Sequence, residues 1–363
     1  MGLDPNAVVS GTEAKGGERV RAPVVSGLQP SALVDHVARV DWSLLDRIPG
    51  DGSGSIPVAF EDVEHILSEV KTHITAARDD LSSIETLGLG GGSVANTIRG
   101  LSACFGVASG LVGACGDDKQ GKLFIHNMSS KNVDLSRLKT KKGVTAQCVC
   151  LVDASGNRTM RPCLSHAVRL KADELMEDSF KGSKWLIMRF AAINLELIHA
   201  AIRIAKRDGV LFSLDLANFE MIRSNRPALI QLIEPMKMKP WRDKQQTSIE
   251  AALDYRATHC QWAVSTLGSK GCIAKHGKEA VKLSTIGDAY ACDATGAGDL
   301  FGSGFIYGLR VCRSSLGGNV TPENRQWMYK QLQMKNVPDL KIVTRYFVLI
   351  HVKVMFLKGK NLA

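Results

Sequence analysis

The hydrophobic positions of the chain fall into short β-branched runs that alternate with segments of helical spacing. Four apolar runs in the middle of the chain are short and bounded by turn-forming or polar residues, which is the pattern of buried strands. Between two of them, LELIHAAIRIAKRDG places apolar residues three and four positions apart, which predicts an amphipathic helix. This alternation predicts an α/β protein with a mainly parallel sheet covered by helices. The predicted strands are 147–153, 184–190, 209–216 and 261–268.

The alternation is interrupted at two places. Between Asp215 and Gln261 the chain has the pattern of helix and polar loop, although an alternating α/β chain is expected to place a strand there. A second interruption follows Leu309, where a predicted helix gives way to RVCRSSLGGNVTPENRQW and then to a basic tail rich in β-branched residues. The sheet is therefore expected to be irregular at the first interval.

The composition is that of an ordinary globular protein. Of the 363 residues, 45% are hydrophobic and 23% charged, which excludes disordered and fibrous classes. The nine cysteines form no Cys-x-x-Cys pair and have no histidine at metal-ligand spacing, so we expect reduced, buried thiols and assign no metal site. The N-terminal segment lacks the apolar core of a secretory signal, so a disordered leader and a cytoplasmic location are predicted.

The positive charge is concentrated at the C-terminal end. The formal net charge is +10, and residues 325–363 hold eight Lys or Arg against one acid, Asp339. No nucleic-acid motif or basic patch interleaved with aromatic residues accompanies this excess, so no nucleic-acid partner is expected. The tail run IVTRYFVLIHVKVMFL is too short, and too often interrupted by charge, to span a bilayer, so no membrane partner is expected.

The segment CDATGAGDLFGSG (292–304) combines glycines with an acid just before a helical apolar stripe. Gly296, Gly298 and Asp299 are therefore expected at a helix N-terminus, where unpaired N–H groups and the helix dipole favour an anion. Asp299 has two interpretations from the sequence. It either caps the helix, or it is a general base beside an anion hole that stabilises a transferring phosphoryl group.

A second glycine-rich segment, GGGSVAN, precedes another predicted helix. Consecutive glycines allow a polyhydroxyl ligand to approach the backbone, and the amide of Asn96 can both donate to and accept from hydroxyls. As a dinucleotide-binding fingerprint the segment is poor, because Ser93 stands where the third glycine belongs.

Together these segments resemble the ribokinase, or PfkB, family of carbohydrate and nucleoside kinases. DATGAGD is similar to the family's C-terminal signature, GGSVAN with GLVGACGDDKQG to its N-terminal one, and STLGSKGCIAKHG to its nucleotide-side strands. The resemblance runs from about Leu28 to about Leu309, and LQPSALVDHVARVD resembles the adenosine-kinase-like branch. It implies a three-layer α/β/α sandwich with a small β lid, and transfer of the γ-phosphoryl group of ATP, with Mg²⁺, to a hydroxymethyl group.

The resemblance also implies roles for individual residues. Asp299 is the expected catalytic base, and Arg158 of the lid is expected to reach the phosphates, with Arg161 as the alternative. The expected anion hole consists of Gly296, Ala297 and Gly298 with the amide of Asp299. The expected acceptor-binding residues are Asp35, Gly91, Gly92 and Asn96. The expected ATP-binding residues are Thr266, Gly268, Gly271 and Thr295.

The same resemblance gives a domain division. A disordered leader covers 1–24, the kinase domain covers 25–331, and an atypical basic tail covers 332–363. Lid segments are expected near 49–58, 86–91 and 145–163. A monomer or a homodimer is consistent with this division.

Two questions stay open at this level. The acceptor is a nucleoside such as adenosine, inosine or guanosine, or alternatively a free sugar or sugar phosphate. The family's Asn-x-x-Glu motif is also missing between Glu220 and Gln261. This indicates a shortened splice form or a faulty gene model, with an imperfect sheet and weakened catalysis. The alternative function is a PfkB-like binding or regulatory protein with impaired transfer.

Overall fold

The strands of the chain form two separate sheets. The computed structural model describes residues 23–48, 54–76, 87–154, 158–165, 167–190, 194–216, 227–228, 253–254, 257, 260–284, 296–315 and 354–357. The larger sheet contains β1 (Val25–Ser31), β5 (Ser109–Gly116), β6 (Leu138–Lys141), β9 (Trp185–Arg189), β10 (Leu211–Asp215), β11 (Cys260–Thr266), β12 (Cys272–His276), β13 (Glu279–Leu283) and β14 (Val354–Leu357). The smaller sheet contains β2 (Leu33–Arg39), β3 (Gly54–Ser55), β4 (Leu87–Gly91), β7 (Ala146–Val152) and β8 (Arg158–Cys163).

The larger sheet has the strand order β13-β12-β11-β14-β10-β9-β1-β5-β6. Strands β6, β5, β1, β9 and β10 are parallel to one another, β14 is antiparallel to β10 and β11, and β11, β12 and β13 form an antiparallel edge. All four strands predicted in the middle of the chain are present, as β7, β9, β10 and β11. The smaller sheet has the order β3-β8-β7-β2-β4, and the three segments predicted for a lid all contribute strands to it.

Helices cover both faces of the larger sheet. The described helices are α1 (Trp42–Leu45), α2 (Phe60–Ala76), α3 (Ser93–Phe105), α4 (Lys119–Ser129), α5 (Leu195–Arg207) and α6 (Ala297–Ser315). Asp118 caps the N-terminus of α4. Its carboxylate accepts a hydrogen bond from the N–H of Gly121 and satisfies one of the unpaired donors of the first turn. Helix α3 ends at Gly106, which has the left-handed conformation (φ 60°) that glycine adopts without strain.

Three apolar clusters show how the layers pack. One joins α5 to one face of the larger sheet, through residues such as Ile198, Ala201 and Phe212. A second joins α3, α4 and α6 to the opposite face, and a third packs α1 and α2 against the smaller sheet. Burial of these clusters is the main stabilising contribution to such a fold. The predicted three-layer α/β/α sandwich with a second, smaller β-sheet is therefore confirmed.

The C-terminal tail contributes to the larger sheet, which the sequence did not predict. Strand β14 lies between β10 and β11 and pairs antiparallel with both, so it fills the position where the strandless interval predicted a gap. The expectation of a gap in the sheet is therefore wrong for the described strands. Helix α6 also continues past Leu309 to Ser315. The rest of the tail, the leader up to residue 22 and most of 217–259 lie outside the described residues.

No described helix is both long enough and apolar enough to cross a membrane.

Candidate active site

The predicted helix of the 292–304 segment begins where the glycines and the acid stand. Helix α6 starts at Ala297, Asp299 lies in its first turn, and Gly296 precedes it with φ 75°, a conformation that favours glycine. The first N–H groups of a helix have no partner within it, so those of Ala297, Gly298 and Asp299 are oriented toward the space before the helix. The backbone geometry thus fits an anion at this end.

Helices α3 and α6 approach closely, and this contact fixes the position of Asp299. A Cβ atom on Gly100 of α3 would lie 2.5 Å from the Ser303 hydroxyl of α6, so only glycine permits this spacing. The Ser303 hydroxyl lies 2.9 Å from the Thr97 carbonyl and 3.0 Å from the Asp299 carbonyl. Phe105 and Tyr307 stack at the other end of the contact. The backbone that bears Asp299 is therefore held in place by the close packing of α6 against α3.

Asn96 holds the carboxylate of Asp299 directly. Its side-chain N–H donates to Asp299 Oδ2 at 2.9 Å, and its oxygen accepts from Arg99 at 2.9 Å. Arg99 in turn donates to the Gly90 carbonyl at 2.9 Å. Asn96, expected to bind acceptor hydroxyls, thus has its amide engaged by Asp299 and Arg99 and acts as a positioning residue for Asp299.

Burial makes Asp299 a stronger base than an exposed carboxylate. Desolvation raises its pKa from 3.8 to about 6, although the Asn96 hydrogen bond and the positive charge of Arg189 act in the opposite direction. A carboxylate with a pKa near 6 is largely ionised at neutral pH and accepts a proton more readily than one near 4. These are the properties that a general base requires.

Asp35 lies beside this carboxylate on strand β2, paired with Leu89 of β4 and Cys148 of β7. The side chain is buried, and its Oδ1 atom has no hydrogen-bond partner within the described ranges. Burial, together with the negative charge of Asp299, raises the pKa of Asp35 to about 7. A buried carboxylate oxygen without a partner is costly, so its position fits a ligand hydroxyl or cation that supplies the missing contact.

The glycine-rich segment between β4 and α3 passes directly over Asp35. A Cβ atom on Gly91 would lie 2.2 Å from Asp35 Oδ2, and one on Gly92 (φ 90°) would lie 2.4 Å from the side chain of Gln29. The amide of Gln29 donates to the Gly91 carbonyl at 3.1 Å and accepts from the Ala95 N–H at 2.9 Å. Gln29, which sequence reasoning did not single out, therefore fixes the segment over Asp35.

We expect Gly91→Ala to weaken acceptor binding. The added methyl group overlaps the Asp35 carboxylate, and an overpacked contact of this kind typically costs about 1–3 kcal/mol. Where this cost falls on acceptor binding, it corresponds to a rise of about five-fold or more in acceptor KM. Gly302→Ala is the matched control, because its Cβ would meet only Thr97 at 3.8 Å. Steady-state kinetics on both variants test this, and an unchanged acceptor KM in Gly91→Ala contradicts it.

A second ion pair lies at the ends of two adjacent parallel strands. Arg189 ends β9 and Asp215 ends β10, and the guanidinium donates to Asp215 Oδ2 at 2.8 Å. The same nitrogen donates to the hydroxyl of Ser93 at the start of α3. Both charges act on the pKa of Asp299, which Arg189 lowers and Asp215 raises. Sequence reasoning missed Arg189, because nothing near it in the chain indicates that its neighbours are Ser93 and Asp299.

The two candidate lid arginines differ in orientation. Arg158 begins β8 and pairs with Val152, and its charge lowers the pKa of Asp35. Arg161 is fully buried, and because side chains alternate along a strand it lies on the opposite face of β8 from Arg158. This is the face of its partner Val149, which belongs to the apolar cluster under α2. The alternative assignment to Arg161 does not fit this position, whereas Arg158 lies on the face of Asp35.

The expected ATP-binding residues lie at the end of β11. Thr266 is the buried last residue of that strand, and Gly268 follows it with φ 66°. Strands β10 and β11 both run antiparallel to β14, so Thr266 lies at the same sheet edge as Asp215. A Cβ on Gly271 would lie 1.8 Å from the Leu283 carbonyl, so packing against Leu283 is a sufficient reason for glycine at this position. Thr295 lies outside the described residues.

Two thiols share the site with Asp35. Cys148 and Cys150 alternate along β7, are fully buried, and have their sulfur atoms 3.7 Å apart. Both sulfurs and a carboxylate oxygen of Asp35 lie within 4.8 Å of one another. The Cys-x-Cys spacing on a predicted strand could have indicated that both thiols share one face, but their partner on β2 depends on strand register.

An α/β/α sandwich with a second β-sheet over a glycine-rich segment, and an acid at the N-terminus of a buried helix, defines the ribokinase-like class of small-molecule kinases. The model of the pfkB family of carbohydrate kinases matches residues 86–311, more than half of the chain. The chain belongs to this family and is a kinase of it. The resemblance seen in its signature segments is therefore confirmed.

Relatives with curated descriptions include sugar kinases and a guanosine-inosine kinase of Escherichia coli, all of low identity. An uncharacterized sugar kinase of Archaeoglobus fulgidus is 26% identical over 216 residues, covering 56% of this chain and 83% of the relative. A 5-dehydro-2-deoxygluconokinase of Geobacillus thermodenitrificans is 24% identical over 242 residues, covering 60% of this chain and 72% of the relative. Among solved structures, the adenosine kinase of Sinorhizobium meliloti superposes with a TM-score of 0.66 at 23% identity, covering 79% of this chain and 87% of that one, which establishes the fold.

Proposed function

We propose that the protein transfers the γ-phosphoryl group of ATP to a hydroxymethyl group of a nucleoside or sugar, with Asp299 as general base. The observation that carries this proposal is the position of Asp299. Its carboxylate is buried in the first turn of α6, is held by Asn96 and has a pKa of about 6. It lies near the carboxylate of Asp35, whose Oδ1 has no hydrogen-bond partner within the described ranges. A base and an acceptor-binding group thus flank one anion site.

The mechanism follows from these neighbours. Asp35 accepts hydrogen bonds from acceptor hydroxyls and orients the acceptor, as its free Oδ1 favours. Asp299 takes the proton of the attacking hydroxyl while that oxygen forms a bond to the γ-phosphorus, and the bond between the γ-phosphorus and the β-phosphate oxygen breaks to release ADP. The backbone amides of Ala297 and Gly298 stabilise the equatorial oxygens of the migrating phosphoryl group. Arg158, on the second sheet, offsets the negative charge of these oxygens.

ATP supplies the phosphoryl group, as it does for kinases of this family, and Mg²⁺ bound to its phosphates neutralises their charge. Thr266 and Gly268 at the end of β11 are the described residues proposed to contact the nucleotide. Among the described residues, the one cluster of three metal-ligating side chains contains two thiols, which do not suit Mg²⁺. We therefore assign Mg²⁺ to ATP and to no protein side chain.

The second sheet supports the role of a lid. Its strands β2, β4, β7 and β8 provide Asp35, the glycine-rich segment, the two thiols and Arg158, so closure of this sheet would bring the acceptor groups toward Asp299 and exclude water. We propose residues 25–331 as the kinase domain, with the lid strands taken from 49–58, 86–91 and 145–163.

We favour a nucleoside acceptor over a free sugar. Next to Asp35 the lid face presents Cys148 and Cys150, which behave as small apolar groups with weak hydrogen-bonding ability. A free sugar places hydroxyls around its whole ring and requires more polar partners than these. A ribose with an apolar, planar base needs Asp35 for its hydroxyls and an apolar surface for the base.

The experiment is a product assay with a panel of acceptors. Purified protein and MgATP are incubated with separate nucleosides and sugars, and phosphorylated product is measured by mass spectrometry alongside ADP. Asp299→Asn is the control for contaminating kinases. A nucleoside 5′-phosphate formed only by the wild type is the expected result. Product from sugars alone contradicts the nucleoside preference, and no product above the control leaves a PfkB-derived binding protein as the correct description.

A further inference from the structure

We propose that Asp35, Cys148 and Cys150 form a binding site for a thiophilic divalent cation such as Zn²⁺, located in the acceptor pocket. Nothing in the proposed phosphoryl transfer requires two thiols beside the acceptor-binding carboxylate. The cysteines alternate along β7 and the acid lies on the adjacent β2, paired in register with Cys148, so three ligands share one face of the lid sheet.

The spacing of the two sulfur atoms fits tetrahedral zinc. Zn–S bonds of about 2.3 Å at the tetrahedral angle place two sulfurs about 3.8 Å apart. The sulfurs of Cys148 and Cys150 are 3.7 Å apart in the structure. A carboxylate oxygen of Asp35 lies within 4.8 Å of both sulfurs, compared with approximately 3.5 Å expected for a third ligand, so this carboxylate has to move closer when the metal binds. The two sulfur atoms already have the separation that the metal requires.

An independent observation indicates that a ligand belongs at this site. Asp35 Oδ1 is buried and has no hydrogen-bond partner within the described ranges, which is costly for a carboxylate. A cation satisfies this atom more completely than a hydroxyl does. Thiolate ligands select zinc and related soft metals over Mg²⁺ and Ca²⁺.

Two thiolates and one carboxylate around a divalent cation leave one net negative charge. The hydrogen bond from Cys148, burial and the charge of Asp35 raise the pKa of Cys150 well above its ordinary value, so the metal has to displace the thiol protons. Arg99 and Arg158 act in the opposite direction on Asp35, and Arg158 does so on Cys150 as well. These cations offset the residual charge, and the fourth metal position stays open for water or an acceptor hydroxyl.

The site has a consequence for catalysis that rests on the proposed function. If Asp35 orients the acceptor, a metal on Asp35 and an acceptor on Asp35 exclude each other. Zn²⁺ is then an inhibitor that competes with the acceptor and not with ATP. Metal binding itself does not depend on any kinase activity, so the two parts can be tested separately.

The binding test uses Co²⁺ as a spectroscopic probe of the full-length protein at mildly alkaline pH, where thiols deprotonate more readily. We expect one Co²⁺ per chain with a thiolate-to-cobalt charge-transfer band that Zn²⁺ displaces. The band should be lost in the Cys148→Ala/Cys150→Ala variant and kept in Cys115→Ala, a buried thiol near Thr140 in the larger sheet. Absence of the band in the wild type, or its persistence in the double variant, overturns the proposal.

Two further measurements keep the test decisive if the double variant does not fold. X-ray absorption of the zinc-loaded wild type should show two sulfur neighbours at about 2.3 Å, and a shell without sulfur overturns the site. Asp35→Asn keeps the shape and both thiols, and should weaken Zn²⁺ binding by about ten-fold or more. With the acceptor found in the product assay, Zn²⁺ should raise the apparent acceptor KM reversibly. A cobalt band without this competition upholds the metal site and overturns the shared pocket.

Discussion

Asp299→Asn is expected to abolish most turnover while making the folded protein more stable. Loss of a positioned general base typically lowers kcat by about 10²- to 10⁴-fold, and the amide can still accept the hydrogen bond from Asn96. The acceptor and ATP KM values should change much less, because Asp299 acts on the attacking hydroxyl. Steady-state kinetics with the acceptor identified by the product assay measure both effects.

The stability change has the opposite sign because burial of Asp299 raises its pKa to about 6. The folded state binds this proton more tightly than the unfolded chain, so stability is lost as the pH rises from about 4 to about 6. A shift of about two pKa units corresponds to a loss of roughly 3 kcal/mol of stability at neutral pH. Because asparagine is neutral, Asp299→Asn should regain at most this amount. Thermal unfolding at pH 7.5 and pH 4 should show the gain only at the higher pH.

Asp173→Asn, at an exposed position, is the control and should change neither kcat nor stability. A variant of Asp299 with wild-type turnover contradicts the assignment of the base. A variant with low turnover and lowered stability at pH 7.5 indicates that Asp299 is structural instead.

The fold and the main segments of the site could be predicted because each has a local signal. Buried strands are apolar runs, and glycines with an acid at a helix N-terminus have a direct backbone cause, so β9, β10, β11 and the start of α6 lie where they were expected. The pairing of these segments in one site was available only through resemblance to a family. Sequence spacing alone does not bring Asp35 to Asp299.

The remaining features depend on contacts between distant parts of the chain. The partner of Asn96 is Asp299, 203 positions further along, and the helix contact that joins them depends on Gly100 facing Ser303. Strand β14 was not expected in the sheet, because the unpaired backbone groups of β10 and β11 can pair with any extended segment that lies between them, wherever it comes from in the chain. The zinc-compatible cluster required the register between β2 and β7.

The arginine at the end of β9 shows how such a distant contact tunes the base. Arg189 lies between Ser93 and Asp215, and its positive charge lowers the pKa of Asp299 while Asp215 raises it. The two charges act in opposite directions on the pKa of Asp299, and the carboxylate, with a pKa of about 6, is largely ionised at neutral pH. Wild-type kcat/KM is expected to fall already below about pH 7, where Asp35 becomes protonated. The acidic limb of kcat, with the acceptor bound, is expected near pH 6, where Asp299 becomes protonated.

Arg189→Met is expected to move this acidic limb to higher pH, because the positive charge that lowers the pKa of Asp299 is lost. It should also destabilise the fold by about 2 kcal/mol, between the values for exposed and buried ion pairs, since Asp215 is left without this partner. The double variant Arg189→Met/Asp215→Asn should recover much of the stability and return the limb toward the wild-type position. The exposed Arg203→Met is the control. An unshifted limb in a folded Arg189→Met protein means that Arg189 supports the sheet edge without tuning the base.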